Sequence, residues 1–178
     1  DVLLPHIQDE PLPANKKDYQ KLLKKQEGYK LAEVKGKASS AFASNWENKT
    51  IELGKNTFGW KSLKLNFGKK EVTMTVTETN GKSYELPFGY QQWITTTFDS
   101  YPPYSITPID RFKGLDGPYY ASGSYAWISK EELQLKVHYV NWVSALEITF
   151  RLDENGEVKL NVQTNYIKKP YSISGKIK

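Results

Sequence analysis

The stretch from residue 133 to residue 152, LQLKVHYVNWVSALEITFRL, alternates apolar and polar side chains with a period of two. The apolar residues stand at odd positions up to Tyr139 and at even positions from Leu146 onward. A period of two is that of a strand with one buried face. Because the parity changes once, within VNWVSA, the stretch predicts two antiparallel strands joined by a turn or a bulge.

The same alternation recurs in short segments through the last three-quarters of the chain. Turn residues separate the segments, most clearly Asn80-Gly81, a dipeptide typical of two-residue hairpin turns. The pattern predicts about 8–10 strands. A sheet with one solvent-exposed face and few helices favours an all-β antiparallel sandwich, a barrel or a strongly curled sheet. The predicted strands are 51–53, 63–67, 72–76, 83–86, 92–98, 119–127, the two halves of 133–152, 158–164 and 172–177.

The first part of the chain lacks this alternation. Residues 1–14 contain three prolines and predict an extended connector. Asn15 has the features of a helix N-cap and Gly28 those of a helix end, so one helix is predicted over about residues 15–28. We therefore predict a connector and helix over 1–44 and a β-barrel domain over 45–178. The chain does not begin with methionine, and we expect a mature product or a piece of a longer protein.

Composition excludes several classes of function. The chain has no cysteine, which rules out disulfides, zinc–thiolate sites and cysteine nucleophiles. Its net charge of +5 comes mainly from lysines near the predicted helix, and a solvated helix face is the ordinary explanation of such lysines. Only Arg111 and Arg151 supply guanidinium groups, which bind phosphate in a bidentate way. No apolar run reaches the length of about 18 residues that a membrane helix requires. We expect neither a nucleic-acid partner nor a membrane span.

Residues suited to catalysis are few. No serine is followed by lysine three positions later, and no G-x-S-x-G motif occurs. The two histidines, His6 and His138, lie far apart and lack a carboxylate at metal-site spacing. The sequence therefore predicts no catalytic residue, metal or cofactor. One enzymatic hypothesis stays open, in which His138 is a general base beside Asp99 or Glu132.

Aromatic residues make up 13% of the chain, and core packing is the ordinary role of most of them. Several of them surround a long, proline-containing loop over residues 99–118. Aromatic rings at the mouth of a barrel are suited to a small apolar or sugar ligand. The candidate ligand-binding residues are Tyr101, Tyr104, Tyr119, Trp127 and Trp142.

Several longer motifs resemble one protein family. The runs are NTFGWKSLKLNF (56–67), ELPFGYQQW (85–93), ASGSYAWISKEELQLKVHYV (121–140) and ALEITFRLDENGEVKLNVQTN (145–165). In order and spacing they resemble the C-terminal β-domain of bacterial serine hydrolases of the β-lactamase/penicillin-binding-protein type, in the class C-like group. The N-terminal residues resemble the segment that links this domain to the catalytic domain. One departure is the turn VNWVS, where the family often has proline.

The resemblance implies a lipocalin-like antiparallel barrel that is a non-catalytic accessory domain. Its partner would be the serine-hydrolase catalytic domain of the same parent chain, which it packs on or caps, and whose serine and lysine would lie upstream of Asp1. The family is often exported, so the resemblance also implies an extracytoplasmic location, in the periplasm or cell envelope. The alternative is a lipocalin-like binding module for a small apolar or sugar ligand.

Overall fold

A computed structural model describes residues 13–103, 117–153 and 155–178. The contacts divide the chain into two compact units, Asp1–Ala32 and Glu33–Lys178. The first unit contains helix α1 (Lys16–Glu27), and the second contains a 3-10 helix (Ala41–Asn45) and ten strands. The strands are β1 (Thr50–Leu53), β2 (Trp60–Phe67), β3 (Glu71–Glu78), β4 (Ser83–Tyr90), β5 (Ile94–Phe98), β6 (Tyr119–Trp127), β7 (Leu133–Tyr139), β8 (Ala145–Leu152), β9 (Val158–Thr164) and β10 (Tyr171–Ile177).

Helix α1 has the ends that its sequence predicts. The Asn15 side chain accepts a hydrogen bond from the backbone N–H of Asp18 at 3.1 Å, and the N–H of Gly28 donates to the carbonyl of Lys25 at 3.2 Å. These bonds satisfy backbone groups that every helix leaves unpaired at its termini. None of the helix residues is buried within its unit.

The strands form a closed barrel. Their order in the sheet is β4-β3-β2-β1-β10-β9-β8-β7-β6-β5, and β4 also pairs with β6. Nine strands therefore complete the ring, and β5 is the tenth, paired with β6 beside the closure. Neighbours in this order are antiparallel, whereas β4 and β6 are parallel. The predicted all-β fold of about 8–10 strands with one N-terminal helix is confirmed, and so is its lipocalin-like barrel form.

The ring closes at a short seam between β4 and β6. Only two residue pairs join the strands there, Gly89 with Ser124 and Tyr90 with Tyr125. Both strands carry a glycine at this seam. A Cβ atom at Gly123 would lie 2.3 Å from the carbonyl oxygen of Pro87, and one at Gly89 would lie within 3 Å of the Gln92 backbone and side chain. The backbone of β6 approaches β4 so closely because Gly123 has no side chain, whereas Gly89 leaves room for the turn between β4 and β5.

Residues 33–40 form a strap against β6, which the sequence analysis did not predict. Lys37 and Trp127 exchange two backbone hydrogen bonds of 2.9 Å. The hydroxyl of Tyr125 donates to the carbonyl of Ala38 at 3.0 Å, and the Val34 N–H donates to the Ser124 hydroxyl at 3.4 Å. The strap thus covers one face of β6, and nearly every residue of that strand is buried.

Alternating side chains fill the barrel. In β7 and β9 every second residue is buried, as the sequence predicts. Trp46, which follows the 3-10 helix, is fully buried and stacks on Trp127 with ring centroids 5.5 Å apart. We call this the Trp46 end of the barrel. The opposite end, which carries the turn between β7 and β8, is the Trp142 end.

Replacing Gly123 with alanine should open the seam, because the new methyl group cannot fit beside the carbonyl of Pro87. We expect the free energy of unfolding to fall by about 2 kcal/mol or more. Urea denaturation measures it. Gly54→Ala is the matched control, since its Cβ atom would meet only the carbonyl of Ser174 at an ordinary 3.5 Å. Equal losses in the two variants would contradict the assignment of strain to the seam.

Candidate functional site

The structure brings together three of the five aromatic residues predicted to bind a ligand. The rings of Tyr101, Tyr119 and Trp142 contact one another at the Trp142 end, with centroids 5.3 to 6.1 Å apart. Trp127 lies instead at the Trp46 end, where β6 finishes, and Tyr104 lies outside the described residues. Tyr119 is the first residue of β6 and Trp127 is the last, so the whole length of this strand separates the Tyr119 ring from the Trp127 ring.

Two asparagines hold the turn between β7 and β8 in place. The Asn141 side chain accepts from the N–H of Tyr120 at 2.9 Å and donates to the carbonyl of Pro118 at 3.0 Å. The Asn165 side chain accepts from the N–H of Ala145 at 3.0 Å and donates to the Val143 carbonyl at 3.0 Å. Each amide bridges the turn to a neighbouring segment. Four hydrogen bonds therefore hold the backbone of the turn in place.

Apolar side chains are exposed around this turn. Four of them are largely accessible: Tyr101 at 51%, Tyr120 at 42%, Val140 at 64% and Val143 at 54%. Together with the partly buried Trp142 we call them the hairpin patch. The only other strongly exposed large hydrophobic residue among the described part of the strand-containing unit is Ile128. The hairpin patch is thus the main cluster of exposed apolar side chains on the described barrel.

Buried hydroxyl groups lie beneath the patch. The hydroxyls of Tyr139 and Ser144 are inaccessible and have no hydrogen-bond partner among the described residues. Burial raises the pKa of Tyr139 well above its ordinary value, and burial also raises the pKa of Tyr84. Both phenols are therefore neutral at physiological pH.

A polar cleft of about 320 Å³ lies beside the patch at the same end of the barrel. Phe58, the turn between β3 and β4, and the residues that follow β5 line it. The Glu78 carboxylate accepts from the Ser100 hydroxyl at 2.5 Å and from the Asn80 side chain at 2.8 Å. The Tyr101 ring belongs to both the cleft and the hairpin patch. Sequence analysis identified Asn80 only as a turn residue and missed the cleft, because its walls come from three separate segments.

His138 lies on the outer face of the barrel, away from the cleft. The rings of His138 and Trp93 pack edge to face, with centroids 5.2 Å apart. The Nε2 atom of His138 is inaccessible and has no hydrogen-bond partner among the described residues. Burial, followed by the charge of Lys136, lowers the pKa of His138 below its ordinary value. Glu132 precedes β7 at the other end of the strand, about 20 Å away at the rise of an extended chain. Asp99 makes no described contact with His138. The residues of the enzymatic hypothesis do not meet.

No group of three or more histidine, cysteine, aspartate or glutamate residues with metal-site geometry occurs in the described part of the chain. Of the helices that the structure describes, none is long and apolar enough to cross a membrane. Comparison of the chain with protein-family models and with curated proteins returns no match.

The position of His138 predicts a pH dependence of stability. Because its pKa in the folded state is lowered, the unfolded chain binds protons more readily as the pH falls through the ordinary histidine range, and stability is lost. We expect His138→Gln to lose less stability than the unsubstituted chain between about pH 8 and about pH 5. Urea midpoints at each pH give the comparison. His6→Gln, in the predicted connector, is the matched control. Parallel pH profiles for His138→Gln and the unsubstituted chain would refute the prediction.

Proposed function

We propose that this barrel is a non-catalytic accessory domain of a β-lactamase-related serine hydrolase, and that it packs on or caps the catalytic domain of the same parent. The motifs over residues 56–67, 85–93, 121–140 and 145–165 support the family. The closed barrel agrees with the fold that the resemblance implies. Residues that could form a nucleophile, base and acid are not brought together in the described structure.

The hairpin patch is the observation that carries the proposal. The turn between β7 and β8 is fixed by Asn141 and Asn165, yet it exposes Val140 and Val143 to solvent. Exposed apolar side chains on a rigid turn gain free energy when a partner covers them, and they lose little conformational entropy in doing so. A catalytic domain of the same parent chain is held at a high effective concentration by the linkage. A modest contact surface is therefore enough for it to dock.

The alternative is a lipocalin-like binding module for a small apolar or sugar ligand at the barrel mouth, and the barrel interior offers such a ligand little room. The inward side chains of the strands are almost completely buried and pack against one another. Phe98, for example, contacts Tyr84, Tyr119 and Tyr139 with ring centroids 5.3 to 6.0 Å apart. A ligand within the barrel would have to separate these rings. The surface of the barrel is the better place for an interaction.

The docking surface is tested by a charge substitution. We expect the double variant Val140→Asp/Val143→Asp to bind the separately produced serine-hydrolase domain at least about 10-fold more weakly, because truncated or charged hot-spot residues cost more than about 1 kcal/mol. Isothermal titration calorimetry gives the dissociation constants. Ile128→Asp, which replaces an exposed apolar residue at the Trp46 end, should bind like the unsubstituted chain. Equal weakening by both variants would count against the hairpin patch.

The accessory role also predicts that the purified chain is inactive by itself. We expect no hydrolysis of nitrocefin or p-nitrophenyl acetate above the rate without protein, because the described residues form no catalytic arrangement. Absorbance of the released products is the measurement, and His138→Ala should give the same baseline. Hydrolysis that this variant abolishes would instead support the enzymatic hypothesis.

The accessory role further predicts that the reading frame upstream of Asp1 encodes S-x-x-K. A reading frame without this motif would contradict the proposal that the parent is a β-lactamase-related serine hydrolase.

A further inference from the structure

We propose that the cleft beside the hairpin patch binds a neutral oligosaccharide. The cleft lies between Phe58, the turn between β3 and β4, and the segment Asp99 to Tyr101. Its volume of about 320 Å³ lies at the lower end of the range for small-molecule sites. This inference does not depend on the accessory role, since the cleft belongs entirely to the barrel.

The cleft combines an aromatic wall with fixed polar groups. About half of the Tyr101 side chain is exposed, and the Phe58 ring is held by stacking on Trp60 with centroids 4.8 Å apart. Aromatic faces pack against the apolar C–H surface of a sugar ring while leaving its hydroxyls free. Polar partners for those hydroxyls line the remainder of the cleft.

The Glu78 carboxylate is oriented before any ligand arrives. The Ser100 hydroxyl bonds one of its oxygens and the Asn80 side chain bonds the other. The Asn80 side-chain oxygen in turn accepts from the N–H of Lys82 at 2.8 Å, which fixes the turn. A carboxylate oxygen has more than one lone pair, so each oxygen of Glu78 retains capacity for a sugar hydroxyl. Preorganised acceptors of this kind favour binding because little order is lost.

The charges of the cleft select against acidic ligands. Glu78 and Asp99 contribute two negative charges to the lining, and Lys82 contributes one positive charge. Carboxylates bind sugar hydroxyls through charge-assisted hydrogen bonds. They repel uronic acids, phosphates and other anions. A neutral sugar chain fits both the aromatic wall and this charge pattern.

The test is a titration of the isotope-labelled chain with cellotetraose, maltotetraose and chitotetraose, followed by amide chemical shifts. We expect at least one of them to bind with a Kd below about 10 mM and to shift the amides of Thr79, Asn80 and Ser100. Tetragalacturonate, an acidic chain of the same length, should bind at least about 10-fold more weakly. No binding by the three neutral sugars, shifts only outside the cleft, or preference for the acidic chain would each overturn the proposal.

Variants separate recognition from folding. Tyr101→Ala and Glu78→Gln should each weaken binding of the neutral sugar about 10-fold, through loss of the aromatic contact and of a charged acceptor. The matched controls are Tyr120→Ala and Glu85→Gln, which replace an exposed residue of the same type outside the cleft. Both should bind like the unsubstituted chain. Glu78→Gln that stays folded by urea denaturation and binds the sugar with unchanged affinity would also overturn the site. Because these titrations use the chain alone, their outcome is independent of docking to a hydrolase domain.

Discussion

Closure of the barrel depends on the approach of two backbones at the seam between β4 and β6. The seam joins the strands by only two residue pairs, and Gly123 leaves the space that the approach to β4 needs. Around it β6 has three successive partners along one edge, first β5, then β4 and then Lys37. Pairing within a ring protects strand edges from other chains. Among the described strands β5 pairs with β6 alone, and the ring itself closes through one narrow contact supported by the strap.

Because the barrel is closed and its interior is filled with side chains, we expect binding partners to contact its outer surface. Large side chains occupy the interior, and the stacked rings of Trp46 and Trp127 close one end. The other end carries both features that point to binding, the hairpin patch and the polar cleft, which share Tyr101. An apolar surface favours a protein partner, and a cleft with oriented carboxylates favours a polar small molecule. The two surfaces are adjacent and chemically distinct.

The sequence predicted those features of the fold that depend on local patterns. Strands β7 and β8 and the turn at Asn80 follow directly from alternation and turn chemistry, because both act over a few residues. The strap and the role of Gly123 were not predictable in this way, since each is defined by contacts between distant segments. The separation of Tyr119 from Trp127, in contrast, follows from the sequence. They are the first and last residues of the predicted strand 119–127, and an extended strand of that length spans about 26 Å.

The pairing of the first and last strands has a further consequence. Ile51 of β1 lies opposite Ile177 of β10, and the N–H of Lys178 donates to the carbonyl of Thr50 at 2.9 Å. The polypeptide therefore enters and leaves the ring at neighbouring points. Domains with adjacent termini tolerate insertion into a surface loop of another protein, and they also tolerate circular permutation. Transfer of this barrel to another host would also have to include residues 33–49, because the strap and Trp46 belong to the barrel unit.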